Sequence, residues 1–136
     1  MRTLVLHTVR ISHFGSYTNG SLSTLNFRLG ALLFFAGFCG NVWADSTLLG
    51  LRKNDADRTY KIPYGPLYEY ISCPNYLAEM IEWCGWALMT RSFTGLAFLW
   101  YTAANLGPRA LANHRWYKEK FDEYPKSRKA LIPYIL

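Results

Sequence analysis

The 136-residue sequence has only three cysteines, at positions 39, 73 and 84, and none stand in a CxxC pair. An odd, scattered set supports neither a disulfide framework nor a zinc site, and it leaves reduced, partly buried thiols as the ordinary state. No metal is expected. A glycine-rich Gly-x-Gly-x-x-Gly turn is also missing, as is any alternating strand pattern to precede one, which excludes a dinucleotide site of the Rossmann kind. Acidic residues are few, nine against fifteen Lys and Arg, giving a net charge of +6. Residues 1–26 lack the long apolar core and small-residue cleavage site of a signal peptide, and they read as a poorly ordered leader.

What the chain does have is apolar and aromatic sequence. Half of it is hydrophobic, with five Trp, ten Tyr and eight Phe, rings that favour the headgroup level of a bilayer. From Phe27 to about Leu49 the sequence is long enough, at a rise of about 1.5 Å per residue, to cross roughly 30 Å of hydrocarbon. Its glycines at 30, 37 and 40 suit close helix contact. Residues 51–74 form a polar loop around Pro63 and Pro66, and Pro74 suits a first helical position. Asn75 to Thr90 and Ser92 to Asn105 give two more apolar segments. A hairpin turning at Arg91 is the simplest arrangement, and periodicity alone leaves one long helix open. Gly107-Pro108 is expected to close the last segment, with an amphipathic helix over Arg109 to Asp122 and a basic, proline-bracketed tail beyond it. The expected fold is all-α: a multi-span transmembrane bundle of about three membrane helices plus a C-terminal amphipathic helix. Residues 27–136 form its single domain.

The loop and the stretch from Arg109 onward carry eleven of the fifteen Lys and Arg, so the positive-inside tendency places both in the cytosol. The tail's cations read as lipid-headgroup contacts, not nucleic-acid contacts, because they form no stripe on a soluble fold.

Polar groups interrupt the apolar segments at helical spacing. Asn41, Asp45 and Arg52 share one face of the first segment. Asn75 and Glu79 stand four apart on the second, with Glu82 three further on, and Arg109, Asn113 and Tyr117 recur at the same spacing on the last. Charged side chains near a bilayer centre cost about 2.5–3.5 kcal/mol on insertion scales, so these faces turn inward. Carboxylates accept from ribose hydroxyls, amides read carboxamides, and guanidinium forks match phosphate, an inventory suited to a polar, phosphorylated ligand. The competing arrangement is mutual pairing, Asp45 with Arg52 or Glu79 with Arg109, holding a bundle with no ligand. Glu82 reads as solvated at a helix end, and His114 as a surface residue.

Several of these residues fall in longer motifs: Asn41-x-x-x-Asp45, Leu51-Arg52-Lys53, Tyr60-Lys61-Ile62-Pro63, Leu67-Tyr68-Glu69-Tyr70, Asn75-Tyr76-x-x-Glu79 with Glu82-Trp83, and Asn113-His114-x-Trp116-Tyr117. The ending, Tyr124-Pro125-Lys126-x-Arg128-Lys129-Ala130-Leu131-Ile132-Pro133, is the most specific. Together, over roughly residues 27–136, they resemble the C-terminal domain of the steroid 5-alpha-reductases, including plant brassinosteroid-pathway members. The trans-2-enoyl-CoA and polyprenol reductases match the ending less well. The resemblance implies a multi-pass enzyme of the endoplasmic reticulum membrane that uses NADPH to reduce the double bond of a 3-oxo-4-ene steroid. It implies cofactor contacts at Asn41, Asp45, Arg52, Asn75, Glu79, Arg109, Asn113 and Tyr117. Asn113 stands where the animal enzymes have histidine, in the Asn-His-x-Trp-Tyr form of the plant members, and Pro66 replaces the second of two glycines. The family's catalytic Tyr and Glu lie on N-terminal helices with no equivalent here, so no catalytic residue is assigned. The expectation is therefore a cofactor-binding half whose partners are a steroid or related lipid enone, membrane lipid, and missing N-terminal helices or a partner chain. The alternatives are an enoyl-CoA or polyprenol reductase-like enzyme and a non-catalytic truncated membrane subunit.

Overall fold

The computed structural model describes residues 24–53 and 60–136, the side chains of Arg52 and Lys53 excepted. The leader at residues 1–23 and the loop at residues 54–59 lie outside the described residues. The described residues hold three helices, α1 (Leu25–Lys53), α2 (Pro74–Thr90) and α3 (Phe93–Lys120), joined and followed by irregular loop and tail. Among the described residues there is no strand, only an isolated bridge between Ile71 and Lys129. The all-α expectation holds. One helix, α1, is long and apolar enough over Leu25–Leu51 to cross a membrane.

Glycine sets the packing of α1 on α2. Gly30 lies against the backbone of Gly85 and Met89, and Gly37 against Ala78 and Glu82, so closely that a Cβ at either would stand within 3 Å of main-chain atoms. Small residues let two backbones approach and gain dispersion contact along their length. The partners fall in falling order on α2 as they rise on α1, so the helices run antiparallel.

The chain turns at Arg91, as the hairpin reading expects. Arg91 adopts a left-handed conformation (φ 47°, ψ 37°), and its N–H closes α2 on the Ala87 carbonyl. Ser92 then caps α3, its hydroxyl accepting from the Gly95 N–H at 3.0 Å, one of the orphan donors of a first turn. Trp83 meets Phe98 edge to face at 4.4 Å, and nearer the other end Asn113 reaches Cys73 and Tyr76. Helix α3 thus returns along α2.

One boundary expectation fails. Gly107-Pro108 does not end a segment, because α3 runs through Pro108 to Lys120 as one helix. An internal proline costs about 3 kcal/mol. Here Pro108 and Ala104, whose carbonyl it leaves without a helical donor, both face outward. Leu106 and Ala110, on the opposite face, are buried, and Ala110 packs with Cys73, Ala130 and Leu131. A break at Pro108 would turn that face away, so burial on α2 outweighs the local penalty. The separate amphipathic helix is the last part of α3.

The tail is tied into the fold by main-chain bonds and by one buried cation. Ser72 and Cys73 N–H groups donate to the carbonyls of Lys129 and Ala130 at 2.8 and 3.2 Å. Arg128 is only 1% exposed. Its Nη1 donates to the Pro63 carbonyl at 3.0 Å, and its guanidinium lies 5.1 Å from the Tyr64 ring centre and 5.2 Å from that of Tyr124. Of the tail's cations, this one is a core residue that ties loop to tail and makes no headgroup contact. Loop, tail and the ends of α1 and α3 share one end of the bundle, and the Arg91 turn marks the other.

Candidate functional site

Among the described residues, helices α1 and α3 both pack their backbones on α2 and not on each other. They part around the start of α2, and a cleft of about 730 Å³ opens there, lined by Asp45, Leu48 and Leu49 of α1, Tyr60, Ser72 and Cys73 of the loop, Asn75 and Tyr76 of α2, and Asn113, Trp116 and Tyr117 of α3. This volume falls within the roughly 300–1,000 Å³ of ordinary ligand sites.

Four of the polar residues singled out by spacing line the cleft: Asp45, Asn75, Asn113 and Tyr117. Asn75 Nδ2 donates to Asp45 Oδ1 at 3.1 Å, a bond that uses one oxygen of the carboxylate and leaves Asp45 Oδ2 and the Asn75 side-chain oxygen for a ligand. Asn113 Nδ2 donates to the Tyr76 hydroxyl at 3.3 Å. Three more do not line the cleft; each stands one helical turn nearer the Arg91 end than a lining residue, and Arg109 is exposed. Asn41 precedes Asp45, Glu79 follows Asn75, and Arg109 precedes Asn113, all by four positions. Asn41 makes a long 3.5 Å contact to the Asn75 carbonyl. Arg52 lies on α1 seven residues past Asp45, and its side chain is outside the described residues.

Of the cleft's aromatic wall, spacing singled out Tyr117 alone. Trp116 meets Tyr60 edge to face at 5.1 Å, and Tyr117 stacks on Tyr124 with centres 5.3 Å apart and planes within 15°. Both rings of the Trp116-Tyr117 pair therefore face the cleft from a rigid backing. Trp116 stood in the quoted motifs, but nothing in its local sequence says which way it points.

Behind the wall sits a buried cluster. Ser72 Oγ lies 2.6 Å from His114 Nδ1, 2.6 Å from the Tyr124 hydroxyl and 3.1 Å from the Lys129 carbonyl. A carbonyl only accepts, so the one Ser72 proton goes to Lys129 and the hydroxyl accepts from Tyr124 and from His114. That assignment puts the proton of neutral His114 on Nδ1. His114, half-buried, is thus a locking residue between α3, loop and tail, a role its sequence did not show. Burial first, then nearby Lys118 and Lys129, hold its imidazole below the ordinary value. A depressed base binds fewer protons when folded, so its contribution to stability is complete above pH of about 6.5 and is lost as pH falls below that. The melting temperature should drop between pH 7 and 5, and His114→Gln should flatten that slope; an unchanged slope in the variant would remove His114 as its source.

Cys73 lines the cleft but is no nucleophile. Burial pushes its thiol up to about 11, against a lowering contact from Asn113, so at neutral pH it remains a thiol. Burial also pushes the Tyr68 hydroxyl up, with smaller contributions from Tyr117, Asp45 and Cys73. It donates to the Ala44 carbonyl at 3.1 Å, fixing the loop on α1 just beside Asp45. Gly65, at φ 144°, lets this loop turn with Trp43 Cζ2 only 3.1 Å from where a Cβ would be. Among the described residues no group of His, Cys, Asp or Glu could hold a metal.

Fold and site together define a helical protein with one helix of membrane length and a polar, aromatic-walled cleft at one end of its bundle. The sequence comparisons make this class specific. Residues 4–136 match the family described as 3-oxo-5-alpha-steroid 4-dehydrogenase, and the chain belongs to that family. It is 50% identical over 126 residues to "Steroid 5-alpha-reductase DET2" of Solanum lycopersicum, covering 92% of this chain and 48% of the relative. It is 52% identical over 127 residues to the protein of that name from Gossypium hirsutum, covering 92% and 49%. The "3-oxo-5-alpha-steroid 4-dehydrogenase 1" of Macaca fascicularis is 44% identical over 125 residues, with 92% and 47% covered. The chain spans about half the length of the curated relatives it matches.

Proposed function

We propose that this chain is the cofactor-binding part of a membrane reductase that saturates the carbon-carbon double bond of a 3-oxo-4-ene steroid, with NADPH held in the cleft. The observation that carries the proposal is the convergence of Asp45, Asn75, Asn113 and Tyr117, from three helices, on one cleft in a chain of this family. The donor set fits the cofactor. Asp45 would accept from a ribose hydroxyl, Asn75 and Asn113 would bond amide or hydroxyl groups, and Tyr60, Trp116 and Tyr117 would offer faces to a flat ring. Asn41, Glu79 and Arg109 would meet the part of the ligand that extends past the lining toward the bundle's middle. Arg52, on the loop side of Asp45, carries a guanidinium suited to phosphate. When bound, the dihydronicotinamide supplies the hydride; no residue of the cleft is assigned to the proton. A lipid substrate would reach this site from the hydrocarbon, and the reading includes a multi-pass protein of the endoplasmic reticulum membrane with the tail in the cytosol.

Titration of NADPH into the full chain in nanodiscs tests the cofactor reading. Saturable binding is expected, with Asp45→Ala and Asn75→Ala each weakening it roughly tenfold, the loss of one charge-assisted hydrogen bond. Affinity that is unmoved by either substitution would place the nucleotide elsewhere.

A further inference from the structure

The tail carries a feature that the cofactor reading does not use. After Arg128 and the buried pair Ala130 and Leu131, the chain closes on itself: the N–H groups of Leu131 and Ile132 donate to the main-chain oxygen of Leu136 at 2.7 and 2.8 Å. The turn inside this closure holds Tyr134 at φ 64°, a left-handed conformation that is a genuine outlier for a bulky side chain. Its consequence is outward display. Tyr134 is 80% exposed and Ile135 77%, with Ile132 and Leu136 partly exposed beside them. The Tyr134 ring lies 6.0 Å from that of Tyr70, itself half exposed on the loop.

Two further observations say what covers this apolar knuckle. From Pro125 to Leu136 every charged side chain is basic, and Lys126 and Lys129 are exposed on either side of buried Arg128. The knuckle also sits at a fixed depth. The tail is bonded to Ser72 and Cys73, next to the level where Asn75 meets Asp45, and Asp45 is only six residues, about 9 Å of helix rise, from the end of the membrane-length part of α1 at Leu51. Tyrosine with an aliphatic neighbour and flanking lysines is the composition of a segment that lies in the headgroup region, ring and methyls toward the acyl chains and ammonium groups toward anionic phosphates.

We infer that the Tyr134-Ile135 knuckle is a monotopic anchor that inserts into the interface of a bilayer containing anionic lipid, holding the tail, and with it the cleft's Ser72-Cys73 edge, at the membrane surface. This goes beyond the cofactor reading and rests only on the part of it that places α1 across a membrane.

The test uses spin labels on the full chain in nanodiscs containing anionic lipid. In a Cys39→Ser/Cys84→Ser background, Ile135→Cys carries the probe and Ser127→Cys, exposed in the same tail, serves as the aqueous reference; a third sample keeps Cys39 on α1. The ratio of collision rates with oxygen to those with a water-soluble nickel chelate should be severalfold higher at Ile135→Cys than at Ser127→Cys. It should fall when Tyr134→Asp is added or when the anionic lipid is replaced by zwitterionic lipid. Equal ratios at positions 135 and 127, with a lipid-like ratio at Cys39, would overturn the anchor alone. A label at position 135 that is immobilised yet shielded from oxygen and nickel alike would overturn it in favour of a protein partner or second copy. A water-like ratio at Cys39 as well would overturn the membrane placement along with it.

Discussion

Gly85→Ala is expected to be the most destabilising methyl group that can be added to this chain. Its Cβ would stand 2.4 Å from the Phe34 nitrogen and 2.5 Å from the Gly30 carbonyl oxygen. Both are backbone atoms of α1, so no rotamer change can relieve the contact and the helices must part. Overpacking ordinarily costs about 1–3 kcal/mol where side chains can shift, and a collision with main chain should reach or exceed about 3 kcal/mol on that scale. Gly37→Ala, 2.4 Å from the Glu82 nitrogen, should behave alike. Gly50 provides the control. A Cβ there meets nothing within 4 Å, and Gly50→Ala should stabilise α1 by up to about 1 kcal/mol through helix propensity alone. Unfolding titrations of the three variants would measure this contrast. Similar curves for Gly85→Ala and Gly50→Ala would contradict the close packing of α1 on α2. The effect should extend to the site, since a displaced α1 carries Asp45 away from Asn75.

Arg128→Ala should produce the second large effect, for a different reason. The side chain is buried, lies against two tyrosines and supplies the donor to the Pro63 carbonyl, while among the described residues its Nε and Nη2 have no hydrogen-bond partner. Truncation leaves a cavity and an unpaired carbonyl, together about 3 kcal/mol. Against this stands the relief of burying a charge that no carboxylate among the described residues balances. Arg128→Met separates the two contributions: it keeps most of the stem volume, removes the charge and should cost only about 1–2 kcal/mol, mainly the lost hydrogen bond. Loss of the tail's grip would also loosen Ser72 and Cys73, so nucleotide affinity should fall more for alanine than for methionine. An Arg128→Ala protein within about 0.5 kcal/mol of the parent, as at an ordinary surface position, would refute the core role.

What the sequence revealed and what it hid divide along a physical line. Periodicity is local, so the helices, the Arg91 turn and the shared faces of Asn41 with Asp45, Asn75 with Glu79, and Arg109 with Asn113 and Tyr117 were all readable from spacing. Glycines 30 and 37 were readable as contact points for the same reason. Pro108 misled because its local preference is to end a helix, and only the burial of Leu106 and Ala110 on α2, a contact distant in sequence, overrides it. Ser72, His114 and Tyr124 meet across as many as 52 positions, and no local pattern announces such a cluster. Arg128 looked like one cation among several in a basic tail. Its burial depends on Pro63, Tyr64 and Tyr124 arriving from two directions. The spacing also assigned eight residues to inward faces without saying that only Asp45, Asn75, Asn113 and Tyr117 would line the cleft. That depends on where α1 and α3 diverge.

The central claim is that the cleft between α1, the start of α2 and the end of α3 receives the nucleotide. Photolabelling the full chain in nanodiscs with an azidoadenine analogue of NADP, followed by peptide mapping, tests it most directly. Labels should fall within Asp45 to Leu49, at Tyr60, within Ser72 to Tyr76 or within Asn113 to Tyr117, and excess NADPH should suppress them. Labels that survive competition, or that concentrate on the exposed start of α3 from Phe93 to Tyr101, would contradict it.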